Sequence, residues 1–190
     1  MRKLLISILL LSFTFISNSQ EKRISVKSGV GYYLDAVSAD SGPILWLEGS
    51  YRFNTGISIN GRLSMATMEW EMDGGAFKGY KTFEIRQMVD VVFSRQIKLG
   101  EANYLEPGLG FKLKRDCFLR PDITEVYSNG NYYLDLDYSY VFYEIGFTLC
   151  LDYYYQFESN FYLGLRADSN IIWALGFEGL SVTPLFGFRF

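Results

Sequence analysis

From Arg23 to Phe190 the sequence alternates with period two. Side chains of an extended strand point to opposite faces in turn, whereas a helix repeats every 3.6 residues, so a chain that keeps the shorter period throughout is committed to strands. The first sets Ile24, Val26, Val30 and Tyr32 against Arg23, Ser25, Lys27, Gly29 and Gly31. The second, about Ile44 to Phe53, sets Leu45, Leu47, Tyr51 and Phe53 against Glu48, Ser50 and Arg52, and turns at Asn54-Thr55-Gly56. The third opposes Ile57, Ile59, Leu63 and Met65 to Ser58, Asn60, Arg62 and Ser64, before a loop from Glu69 to Gly79. The fourth, about Tyr80 to Ser94, alternates Phe83, Ile85, Val89, Val91 and Phe93 with Thr82, Glu84, Arg86, Met88 and Asp90, and Gln87 interrupts its apolar face.

A turn near Lys98-Leu99-Gly100 leads to the fifth strand, where Leu105, Leu109, Phe111 and Leu113 oppose Glu106, Gly108, Gly110, Lys112 and Lys114. A long polar segment from Arg115 to about Asp137 follows. The sixth strand opposes Val141, Tyr143, Ile145, Phe147 and Leu149 to Phe142, Glu144, Gly146, Thr148 and Cys150, and turns at Glu158-Ser159-Asn160. The seventh opposes Phe161, Leu163 and Leu165 to Tyr162, Gly164 and Arg166, with a loop expected from about Asp168 to Gly179. In the eighth, Leu180, Val182, Phe186, Phe188 and Phe190 oppose Ser181, Thr183, Gly187 and Arg189. Pro107 and Pro184 cannot donate a ladder hydrogen bond, and a bulge or strand end is expected at each.

Alternation by itself does not say which face points outward, since soluble barrels alternate too. Three features turn the apolar face to lipid. Turns after strands two, four and six are short while those after three and five are long, as in outer-membrane barrels. The polar face mixes charges of both signs with glycines, which suits a narrow eight-stranded interior. The last strand ends in Phe190 with aromatics at alternate positions before it. The expected fold is all-β, an eight-stranded antiparallel up-and-down transmembrane β-barrel. An even strand number returns the C-terminus to the periplasmic side, where the short turns lie.

The N-terminus fits an exported protein. Arg2 and Lys3 precede an apolar run from Leu4 to Ile16, too short to span a bilayer as a helix, and Ser17-Asn18-Ser19 offers small residues for cleavage before Gln20. Residues 1–19 are read as a signal peptide and 20–190 as the barrel. No cysteine follows the apolar run, so no lipid anchor is expected. Removing Arg2 and Lys3 from 18 basic and 21 acidic residues leaves 16 against 21, a net charge of −5, which argues against a nucleic-acid partner. Cys117 and Cys150 map near opposite ends of the barrel and are expected to be free thiols.

The sequence resembles the small OmpA-like or PorT-like outer-membrane barrels of Bacteroidetes-type bacteria. The segments that carry the resemblance are Tyr104-Leu105-Glu106-Pro107-Gly108-Leu109-Gly110, Asn160 through Asp168, and Thr183-Pro184-Leu185-Phe186-Gly187-Phe188-Arg189-Phe190. They are fold motifs, so the resemblance implies architecture and no particular activity. It also implies that Phe186, Phe188 and Phe190 form the C-terminal signal read by the barrel-insertion machinery. Larger OmpA proteins carry a peptidoglycan-binding domain after the barrel; this sequence stops at Phe190, and such tethering is not expected.

The lumen face collects Arg62, Glu84, Arg86, Asp90, Glu106, Lys112, Glu144 and Arg166. They form either an ion-selective path or a plug of ion pairs, and the plug is preferred because buried charges demand partners. Enzymatic activity is disfavoured: the sequence has no histidine, the usual general base. In the loops, Glu69, Glu71 and Asp73 flank Trp70, and Asp122, Glu125, Asp135 and Asp137 lie among tyrosines, without the spacing of a calcium loop. The segment Leu134 to Tyr138 reads as a strand continuing above the membrane. Trp46, Tyr51, Tyr143, Tyr153 and Trp173 are candidates for interfacial girdles, and a carbohydrate platform is the lesser alternative. The expectation is a monomeric outer-membrane protein without cofactor, in contact with lipids, with a structural or surface-interaction role. A passive pore or carrier, or an accessory factor in protein secretion, are the alternatives.

Overall fold

The computed structural model describes residues 23–71, 81–119, 122–126, 132–135, 139–173 and 175–190. Eight long strands close a barrel: β1 (Ile24–Asp35), β2 (Ser41–Arg52), β3 (Ile57–Glu71), β4 (Lys81–Arg95), β6 (Asn103–Leu119), β9 (Ser139–Gln156), β10 (Phe161–Ile172) and β11 (Gly176–Arg189). A two-residue strand, β5 (Ile97–Lys98), pairs with the start of β6. Each long strand pairs antiparallel with the next, β4 with β6, and β1 with β11 closes the cylinder. No open edge remains in the ring of eight. This removes unpaired backbone groups from the wall, the condition for crossing a bilayer with strands. No helix among the described residues is long and apolar enough to cross a membrane.

Alternation sorts the side chains. Leu63, Phe111 and Ile145 point outward and are 59–66% exposed, while Glu48, Arg62 and Asp90 point inward and are buried. Such a belt is far larger than an apolar patch that water tolerates. The strands run from 12 residues (β1) to 18 (β9), against the 9–11 or so a tilted strand needs to cross hydrocarbon.

One end of the cylinder, the turn end, holds Arg23, Phe190 and three tight connections. Two of these share a geometry. Phe53 N–H donates to Ile57 O, with Gly56 at φ +78°; Phe157 N–H donates to Phe161 O, with Asn160 at φ +65°. Positive φ is open to glycine and tolerated by asparagine, so those residues end the two loops. The opposite, loop end carries the connections after β1, β3, β6 and β10.

Several sequence expectations are revised. The segment from Asp168 to Gly179 is mostly strand: β10 runs to Ile172, with a bulge between Asn170 and Ile171 in its pairing with β11. Likewise β6 runs through Arg115 to Leu119. The described part of the Leu134 segment is strand, as expected: β7 (Asp122–Val126) and β8 (Tyr132–Asp135) pair antiparallel beyond the wall, Asp122↔Asp135 following Leu119↔Ser139 of the β6–β9 ladder, in a two-stranded sheet of their own. Pro184 sits in an unshifted register. The β1–β11 ladder merely skips from Ser28↔Phe186 to Tyr32↔Val182, so the missing donor costs a local gap and no bulge. At Pro107 the ladder with β4 has ended at Ser94↔Gly108 while that with β9 continues, so the proline borders a ladder end.

Gly29 and Gly31 line that gap. A Cβ on Gly29 would lie 2.3 Å from Pro184 O and 2.8 Å from the Trp46 ring, and one on Gly187 would lie 2.0 Å from the Tyr162 ring. Lumen glycines thus make room for aromatic rings inside the barrel.

Candidate functional site

Ion pairs fill the lumen in three tiers. In the tier nearest the turn end, Arg166 from β10 lies between two carboxylates. It meets Glu48 through Nη1–Oε2 at 2.8 Å and Nη2–Oε1 at 3.0 Å, and Asp152 through Nε–Oδ1 at 2.6 Å and Nη2–Oδ2 at 2.7 Å. Lys27 Nζ reaches Asp152 at 2.9 Å, Glu106 at 3.1 Å and Glu48 at 3.5 Å. Ser94 and Tyr154 hydroxyls donate to the two oxygens of Glu106 at 2.6 and 3.0 Å. The Arg166 guanidinium lies 4.1 Å from the centre of the Trp46 ring, whose Nε1–H donates to Thr183 Oγ1 at 2.8 Å. A planar guanidinium suits both contacts, forking onto carboxylates and stacking on a ring.

The middle tier joins β3, β4, β6, β9 and β10. Arg62 pairs with Asp90 at 3.0 Å and Asp168 at 2.6 Å and donates to Thr148 Oγ1 at 3.1 Å, while Lys112 takes the other oxygen of Asp90 at 2.9 Å. In the tier at the loop end, Arg86 contacts Glu84 at 2.6 Å, Asp35 at 2.9 Å, Asp116 at 3.0 Å and Glu178 at 3.4 Å, and donates to Tyr33 Oη at 2.7 Å. Lys114 Nζ sits among Asp116 at 2.7 Å, Glu144 at 2.5 Å and Glu178. These three carboxylates are close enough together to hold a metal ion, and the Lys114 ammonium occupies the place between them.

Of the eight lumen residues expected from sequence, seven are buried inside and paired; Glu144 is only partly covered, at the mouth. Lys27, Asp35, Glu48, Lys114, Asp116, Asp152, Asp168 and Glu178 join them. Most carried the same signal: Lys27, Glu48 and Lys114 stand on the polar face of their strands, and Asp116, Asp152 and Asp168 continue that parity. Asp116, Asp168 and Glu178, however, fell in segments read as polar connection or loop. Which pairs form was not legible, because contacts such as Arg62–Asp168 and Arg166–Glu48 reach over the lumen between strands that are not neighbours.

Trp46 requires a correction. It is 1% exposed and packs inside with Tyr154, Tyr162 and Leu185, so it is no part of a girdle. Its parity, between outward Leu45 and Leu47, places it there. Tyr51, Tyr143, Tyr153 and Trp173 are exposed on the outer surface. Cys117 and Cys150 are free. Trp70 packs edge-on against Phe118, and Glu69 pairs with Lys81; the side chains at Asp73, Asp122, Glu125, Asp135 and Asp137 lie outside the described residues.

Space is distributed unevenly. A void beside Arg62, Lys112 and Asp168 measures about 10 Å³, room for one water at most. At the loop end a vestibule of about 390 Å³ is lined by Asp35, Glu84, Arg86, Lys114, Asp116 and Glu178, with Trp70, Phe118 and Phe142 on its rim. Five acids (Asp35, Glu84, Asp116, Glu144, Glu178) face two bases in that tier. The floor is paired and packed, and the mouth is acidic and aromatic.

Comparison with solved structures matches this cylinder to Neisserial surface protein A with a TM-score of 0.61, at 10% identity, covering 90% of this chain and 98% of that one. The fold is that of the small outer-membrane β-barrels. A second match is Ail, the attachment invasion locus protein of Yersinia pestis, solved in complex with the heparin analogue sucrose octasulfate, with a TM-score of 0.53, 12% identity and coverage of 88% and 99%. Uncomplexed Ail matches with a TM-score of 0.51 at 13% identity. No protein-family model matches the sequence, and no curated protein does.

Proposed function

We propose that this protein is an integral barrel of a bacterial outer membrane whose lumen is sealed by ion pairs and whose loop end interacts with the surroundings of the cell. The observation that carries the reading is the pairing of a broad apolar outer belt with a lumen whose mid-depth void is about 10 Å³. A conducting barrel needs a continuous polar path. Here the guanidinium and ammonium groups of Arg62, Lys112 and Arg166 lie across the path, each fixed by carboxylates from other strands. A passive pore or a carrier is therefore the lesser reading.

In this reading residues 1–19 are the export signal and the turn end faces the periplasm, because short turns lie on that side in such barrels. Phe186 and Phe188, outward on β11, and Phe190 behind them serve the insertion machinery. The protein works as a monomer with lipid as its covering, and without catalysis or cofactor. The vestibule, with its surplus of acid and its aromatic rim, is the surface offered to the exterior. One matched protein is described as a surface protein and the other as an attachment invasion locus protein, which supports a surface-interaction role over a transport one. A role beside a secretion system, as the PorT-like resemblance allows, is compatible with the same closed barrel.

Planar-bilayer recording tests the seal. Purified protein that shows heat-modifiable electrophoretic mobility, and so is folded, is expected to give no steady current. A constant open-channel conductance in wild type would overturn the plug.

A further inference from the structure

Two adjacent outward rows on the wall enclose a furrow. By register one row runs Leu47↔Leu63↔Val89↔Leu113, and the other runs Leu45↔Met65↔Gln87↔Arg115↔Tyr143. Between them lies a groove of about 680 Å³, floored by Trp46, Ser64 and Met88 of the inward set. The rows are oblique. Leu47 is five residues from Arg52 at the turn end of β2, whereas Leu113 is ten from Asn103 at the turn end of β6, so the furrow climbs towards the loop end as it passes from β2 to β9. Strand tilt of about 40° produces this slope.

The upper end is polar. On β6 the outward positions from Leu105 to Leu113 are all apolar, and Arg115 is the first polar one met on the way up. Its Nη1 donates to Gln87 Oε1 at 2.7 Å, so among the described residues the guanidinium meets a neutral amide and no carboxylate. Tyr143, next in register, is 68% exposed. An outward arginine is costly at the bilayer midplane and cheap at its interface. Among the described residues Arg115 thus stands at the upper, interfacial end of the furrow without a carboxylate partner, above outward walls that are apolar lower down.

We infer that this furrow holds one molecule of the phosphorylated glycolipid of the outer leaflet. Its phosphate lies on Arg115, its sugar meets Gln87 and Tyr143, and an acyl chain lies along Leu113, Val89, Leu63 and Leu47. Charge complementarity selects an anionic headgroup, and two neutral hydrogen-bonding side chains beside the cation suit a sugar. The inference rests on the outer-membrane reading, which fractionation and heat-modifiable mobility test separately.

The experiment is native mass spectrometry of the folded barrel in mild detergent, titrated in turn with bisphosphorylated lipid A, phosphatidylglycerol and phosphatidylethanolamine. Wild type is expected to retain one lipid A in preference to both phospholipids. Arg115→Gln is expected to weaken that binding by about tenfold, the usual effect of losing a charge-assisted hydrogen bond. Val89→Trp, which fills the furrow and leaves Arg115 in place, is expected to weaken it as well, while Arg95→Gln at the turn end leaves it unchanged. Equal retention of lipid A by wild type and Arg115→Gln, or by wild type and Val89→Trp, would overturn the inference. So would retention of phosphatidylglycerol as strong as that of lipid A.

Discussion

Arg166 shows how single side chains decide the state of the lumen. Its guanidinium satisfies oxygens on both Glu48 and Asp152 and covers Trp46, all fully buried. Removing one partner of a buried pair costs more than the pair contributes, because the remaining charge keeps its desolvation penalty. Arg166→Ala is therefore expected to destabilise the folded barrel by about 3–5 kcal/mol, and Arg166→Lys by less, since the charge stays and only the fork is lost. Urea titration in detergent or lipid, followed by the shift from folded to unfolded mobility, measures both. Sequence parity placed Arg166 and its carboxylate partners on one face but said nothing of the pairing, which depends on the barrel diameter. Trp46 marks the converse case, where residue type suggested an interface and parity, the stronger physical constraint, put the ring inside above Gly29.

Among the elements, strands were legible and their ends less so. Alternation survives in β10 to Ile172, with Asp168 and Asn170 still pointing inward, yet such polar residues also read as loop, and in β11 the extra residue opposite Asn170/Ile171 puts neighbouring Glu178 and Gly179 both inside and breaks the period there. Prolines misled for a related reason: a strand in a closed wall can lose one bond at Pro184 without shifting register, since its other neighbour keeps its pairing at Leu165. The turns were read correctly from Asn54-Thr55-Gly56 and Glu158-Ser159-Asn160 because both end on a residue that takes positive φ. Gly56→Ala is expected to lower stability by about 1 kcal/mol or somewhat more, while Asn160→Gly stays near neutral. The same urea assay compares them.

For the whole molecule, closure and sidedness are one problem. Eight strands leave a lumen narrow enough for the side chains of Arg62, Arg86 and Arg166 to reach carboxylates on other strands, and that pairing allows charge to be buried at all. The same geometry forces Leu63, Phe111, Leu163 and Phe188 outward, where only hydrocarbon covers them at no cost. The direct measurement is spin-label accessibility in lipid bilayers, with labels at Leu163 and, separately, at Phe111, in a background where Cys117 and Cys150 are replaced. Collision with oxygen, which concentrates in hydrocarbon, is expected to exceed collision with a water-soluble nickel complex at both sites. Labels shielded from oxygen and reached by nickel would contradict a lipid-facing belt, and the account of the lumen would fall with it.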